Sequence, residues 1–168
     1  HIWSAEANIK NPDMVKKIHG EYIHAGSDYI TANTFRTTPR AYLKTGVDDE
    51  KSIQMAKYSL VNAVKFAKEA ANNSVNVIGS IAPLEDCYIP ECFPGRGVAD
   101  MEFAQLGKWL AHAGVDVLLL ETMNSIVETE SAIIGIEALD VPIWVSFVLK
   151  DGYHLLSGDS ITDALKII

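Results

Sequence analysis

Residues 113–122 read Ala-Gly-Val-Asp-Val-Leu-Leu-Leu-Glu-Thr, and residues 25–34 read Ala-Gly-Ser-Asp-Tyr-Ile-Thr-Ala-Asn-Thr. Both begin with the glycine that stops a helix and continue into a strand ending in polar side chains. The run Val117–Leu120 has the unbroken apolar character of a parallel strand covered on both faces. The two stretches stand 88 residues apart, which is two βα units of about 44 residues each. Repetition of such a unit is how a (β/α)8 barrel is built.

The flanking sequence supports alternation. Asn11-Pro12-Asp13 predicts a helix start, with Met14, Val15, Ile18 and Tyr22 on its apolar face and Gly26 as its stop. Asp28–Phe35 reads as a strand, and a loop with Pro39 and Gly46 follows. A long helix is predicted over 49–71, turning Ile53, Ala56, Leu60, Ala63, Val64 and Ala67 inward. Val75–Ser80 is the next strand. A helix from about Asp100 to Gly114 carries Phe103, Leu106 and Leu110, and Asp116–Met123 is the third strand. Ser125-x-x-Glu128 is a capping box opening a helix to about Leu139. Ile143–Leu149 is the last strand, and a final helix starts near Ser160. The fold class is therefore α/β with parallel strands and right-handed crossovers. About four consecutive βα units of a TIM barrel fit this order better than an open doubly wound sheet. A whole barrel needs eight strands and about 250 residues, so residues 1–168 are expected to form one incomplete domain.

Composition narrows the function. Hydrophobic residues make up 48%, charged residues 21%, and the net charge is −8. That balance speaks against nucleic acid or an anionic membrane as partner, since both select clustered positive charge. No apolar run reaches the roughly 20 residues of a membrane span, and no leader-like segment follows His1, so a cytoplasmic location is expected. Cys87 and Cys92 are too few for a disulfide framework, and Cys-x4-Cys lacks a second ligand pair, so free thiols are expected. Of the histidines, His19, His24 and His112 fall on helices, and His154 follows the last strand. There is no GxGxxG, P-loop, HExxH or Gly-x-Ser-x-Gly motif.

Ligands of parallel α/β folds bind at the carboxyl ends of the strands. Those ends carry Asn33-Thr34, Ser80, Glu121-Thr122 and Ser146. Glu121 is the sharpest candidate, because a carboxylate directly after three leucines is costly unless something pairs with it. The loop 81–97, with three prolines, lies on the same face and has the length of a lid or binding loop.

Taken in order, Ala25–Phe35, Gly79–Leu84, Glu121–Met123, Trp144–Phe147, Asp151-Gly152 and Ser157-Gly158 resemble the homocysteine S-methyltransferase family. The resemblance runs through nearly the whole chain. It implies a (β/α)8 barrel in which homocysteine is methylated on sulfur by a small-molecule donor, giving methionine. It also implies a zinc ion held by three cysteines. Carried over by position, Glu121 receives the substrate's amino group, and Asn33, Thr34, Ser80 and Ser146 line the pocket. Phe35 and Tyr88 shape the donor side. The family's opening Asp-Gly-Gly-type turn and its Gly-Gly-Cys-Cys-like zinc motif have no counterpart here. No zinc ligand is therefore assigned, and the segment alone is expected to be inactive. A half barrel with open edges is also expected to self-associate as a homo-oligomer. Two rival readings are a non-catalytic homocysteine-binding module and an unrelated barrel lyase.

Overall fold

The computed structural model describes residues 2–168. A 3-10 turn, Trp3–Glu6, leads into α1 (Ala7–Lys10) and α2 (Pro12–His24), followed by β1 (Tyr29–Ala32), α3 (Pro39–Leu43) and α4 (Asp49–Ala71). Then come β2 (Asn76–Ile81), a 3-10 turn at Pro90–Cys92, α5 (Arg96–Ala113) and β3 (Val117–Met123). The chain continues through α6 (Ile126–Ile136), β4 (Ile143–Phe147) and α7 (Ile161–Ala164). The strands form one sheet in the order β1-β2-β3-β4, and every neighbouring pair is parallel. Parallel neighbours require a crossover, and helices supply it each time. These are four consecutive βα units of a (β/α)8 barrel, as the repeat predicts.

One face of the sheet is covered and the other is concave. Ile30, Ala32, Val77, Leu118 and Leu120 point into the helix layer, where they meet Leu60, Val64, Phe103, Leu106, Leu110 and Ile136 in a single core. Ile78, Ser80, Leu119 and Trp144 alternate to the opposite face, in the register Ser80–Leu119–Trp144. Curvature is visible in one pair. Tyr29 on β1 and Trp144 on β4 lie three strand spacings apart, about 14 Å on a flat sheet, yet their ring centroids are 5.0 Å apart.

Gly26 and Gly114 occupy equivalent positions, each in the left-handed conformation (φ 98° and 89°) after a helix end. The repeated Ala-Gly-x-Asp motif thus marks a repeated helix-to-strand turn. Within it the second aspartate, Asp116, accepts from the Val77 amide at 2.6 Å and pairs with Lys68 at 2.8 Å.

Several boundaries and faces differ from expectation. The stripe Met14, Ile18 and Tyr22 is exposed (55%, 44% and 63%), whereas Val15 and His19 are buried. The helix therefore packs through its Val15–His19 edge, and the longer apolar stripe lines a groove beside β1. Ile53 is exposed as well. A helix of 23 residues is about 34 Å long, so its first turns overhang strands of about 20 Å.

Asn11 stands at the α2 N-cap, but its side chain makes no capping bond; its carbonyl meets the Met14 and Val15 amides instead. Pro39 opens a short helix rather than a loop, because the Thr38 hydroxyl accepts from Ala41 N–H at 3.2 Å. Helix α5 begins at Arg96, before the expected Asp100, with its first side chain paired to Glu130 on α6. The capping box at Ser125 is half formed: Ser125 Oγ accepts from Glu128 N–H at 3.4 Å, but the Glu128 carboxylate turns to the Leu84 amide at 2.8 Å.

Candidate functional site

The four strands deliver their carboxyl ends to one rim. The groove between α2 and the β1 edge, a cavity of about 590 Å³ walled on one side by Met14, Ile18 and Tyr22, reaches this rim at Asn33, Ser80 and Glu121, with Phe35 also in its lining. It is mostly apolar, with a few polar groups at one end, the usual make-up of a small-molecule site.

Glu121 and Ser80 are brought together directly. Ser80 is buried on β2, and its Oγ donates to the Glu121 carboxylate on β3. Among the described residues no cation pairs with Glu121, and a neutral hydroxyl holds its carboxylate in place.

Thr122 adds a feature that residue types alone do not reveal. It is β-branched, yet has φ 62°, in the left-handed region such residues avoid. The β3–β4 register slips between Leu120 and Met123, freeing the Thr122 amide from the ladder. That amide donates to Ser146 Oγ at 3.0 Å.

Asn33 lines the cavity, but its amide is engaged with the N-terminal segment. Its Oδ1 accepts from Ser4 Oγ at 2.7 Å, and its Nδ2 donates to Ser4 O at 2.8 Å and Asn8 Oδ1 at 2.9 Å. Thr34 is 3% exposed. Its hydroxyl donates to Ser80 O at 2.8 Å and accepts from Ser80 N–H at 2.9 Å, extending the β1–β2 ladder by a side chain. The structure thus brings Ser80, Glu121 and Ser146 to the ends of adjacent strands, while Asn33 and Thr34 fasten the frame beneath them.

The long loop is pinned at its base. Leu84 is held by Glu128, and Arg36 donates to Glu85 O at 2.7 Å. Arg40 bridges Glu102 (2.6 Å) and Glu85 (2.9 Å). Asn124 Nδ2 reaches Cys87 O at 3.1 Å. Arg36 also lies over the rings of Trp3 (4.7 Å) and Phe35 (5.3 Å). Of the two aromatics assigned to the donor side, Phe35 lines the cavity, whereas Tyr88 is exposed in the loop.

The thiols are free, Cys87 buried and Cys92 exposed. Burial pushes the Cys87 thiol pKa above its ordinary value, against the pull of the Arg36 guanidinium. A metal-ready thiolate needs the opposite shift. Among the described residues no group of three or more His, Cys, Asp or Glu could hold a metal ion. The residues present therefore do not fit the zinc site that the resemblance implies. His19 packs inside, its imidazole pKa lowered by burial. His154 is exposed, with Nδ1 3.1 Å from Asp151. Among the described residues no helix is long and apolar enough to cross a membrane.

Comparison with known proteins agrees with the geometry. The sequence model of the family described as homocysteine S-methyltransferase matches residues 1–168. Homocysteine S-methyltransferase 1 of Zea mays is 28% identical, covering 99% of this chain and 58% of its own length. Homocysteine S-methyltransferase of Escherichia coli K12 is 26% identical, with 99% and 58% covered. Among solved structures, the metallated form of the homocysteine methyltransferase MmuM from Escherichia coli superposes with a TM-score of 0.85. It is 22% identical, over 98% of this chain and 62% of that one. The chain therefore spans about three fifths of the length of the relatives it matches.

Proposed function

The chain belongs to the homocysteine S-methyltransferase family, and on that premise we propose that its parent protein methylates the sulfur of homocysteine to give methionine. Membership of this family sets aside the unrelated barrel lyase. The observation that carries the proposal is the Ser80–Glu121 pair on the rim of the cavity. A carboxylate held by a hydroxyl, with no cation beside it, keeps its negative charge for a ligand. The α-ammonium of an amino acid satisfies it in both charge and hydrogen bonding.

In this reading Glu121 receives the ammonium and Ser80 fixes the carboxylate's orientation. Asn33 and Thr34 hold the first two strand ends, and Ser146, at the end of β4, accepts from the amide that follows Glu121. Alignment of the thiol with the donor's methyl group is what such a frame contributes to the reaction, by removing the entropy of bringing two small molecules together. Phe35 forms the apolar wall beside them.

Zinc dependence belongs to the proposal for the parent protein, with its ligands outside residues 2–168. The 168 residues are on this account an amino-acid-binding portion of the barrel that does not catalyse alone. Incubating the intact protein with homocysteine and a panel of donors, among them S-methylmethionine, betaine and S-adenosylmethionine, tests the reading. Methionine is expected from at least one donor; none from any donor rejects it.

A further inference from the structure

We propose that Ser146 and the left-handed Thr122 act as positioning residues that set the aim of Glu121, and so determine recognition of the substrate's amino group. The inference rests on the assignment of Glu121 as the ammonium acceptor and adds the device that points it.

In a regular parallel strand, residues 120–123 would all remain in the ladder with β4. Instead the register slips between Leu120 and Met123, and the slip is taken up at Thr122 with φ 62°. A β-branched residue in that region is unfavourable by about 1–3 kcal/mol, so surrounding contacts must impose it. One contact does so: Ser146 Oγ accepts from the Thr122 amide at 3.0 Å, from the neighbouring strand. The peptide held in this way joins Glu121 to Thr122, so its orientation fixes the direction in which the Glu121 side chain leaves the strand. Ser80 then holds the carboxylate from the other side. Glu121 is thus stapled from both neighbours, through its carboxylate to β2 and through its following peptide to β4.

The test is calorimetric titration of the intact protein and its Ser146→Ala and Ser146→Thr variants with two ligands. These are homocysteine and 4-mercaptobutanoate, which is the same molecule without the amino group. The parent should bind homocysteine the more tightly. Ser146→Ala should lose about tenfold of that preference, by weakening homocysteine alone, and Ser146→Thr, which keeps the hydroxyl, should restore it. A variant damaged in its fold would weaken both ligands equally, and that outcome overturns the proposal, as does an undiminished preference in Ser146→Ala. A parent that shows no preference between the two ligands overturns instead the assignment of Glu121 on which the proposal rests.

Discussion

The carboxylate of Glu128, on α6, accepts a 2.8 Å hydrogen bond from the backbone amide of Leu84, at the base of the long loop. Glu128 is only 2% exposed, and burial raises its pKa above the ordinary glutamate value, with the nearby Glu85 charge acting the same way. A carboxyl whose pKa is higher in the folded state binds its proton more tightly there. Its ionisation therefore weakens the fold as pH rises through the folded value. Glu128→Gln, which still accepts from Leu84, should gain stability relative to the parent as pH rises from 4 to 7, and urea denaturation at both pH values measures the difference. Glu128→Ala should instead lose about 2 kcal/mol, because it leaves a buried amide without a partner.

Asp116 should behave with the opposite sign. Burial works against its charge, but the Lys68 ammonium and the Val77 amide outweigh it and hold the carboxyl below its ordinary value. Its contribution is present above the unfolded-state pKa and disappears as pH falls through the folded value. Asp116→Ala should lower stability at pH 7 by about 1 kcal/mol, a modest figure because the ion pair is partly solvated. Below about pH 3 the deficit should shrink, which denaturation across that range would reveal.

Helices α5 and α6 touch through glycine. A Cβ on Gly135 would sit 2.8 Å from the backbone nitrogen of Ala104 and 3.0 Å from Phe103 Cβ. Backbone atoms cannot give way as a flexible side chain can. Gly135→Ala should therefore destabilise by about 1–3 kcal/mol, despite alanine's better helix propensity, and thermal denaturation would detect the loss.

Much of the architecture was legible because it depends on local signals. The paired Ala-Gly-x-Asp turns encode a helix stop and a strand start within a few residues, and each did the same work in the structure. The apolar positions of α4 and α5 announced their buried faces, apart from Ile53 where the helix outruns the sheet. The polar strand ends located the rim. What escaped was non-local. Nothing near Asn33 indicates that Ser4 and Asn8 will occupy its amide, and nothing in Thr34 says it will serve the Ser80 backbone. Met14, Ile18 and Tyr22 read as one apolar helix face, and periodicity reports such a face without naming what covers it. Thr122 is hidden for a different reason: its conformation comes from a register slip against β4, which no residue type near it announces.

Zinc dependence of the intact protein is part of the proposed function and has its own test. Zinc analysis of the intact protein should find about one ion per chain, as in a single thiolate site, and the isolated 168 residues should hold none. Zinc retained by the isolated segment would return Cys87 and Cys92 as ligands, and zinc in neither would contradict a zinc-dependent reaction.

The assignment of Glu121 is tested by the affinity of the intact protein for homocysteine before and after Glu121→Gln. The substitution keeps the shape of the side chain and the contact to Ser80 but removes the charge. If Glu121 receives the substrate's ammonium, affinity should fall at least about tenfold, the scale of a lost charge-assisted hydrogen bond. Unchanged affinity would contradict the account and move homocysteine recognition away from this carboxylate.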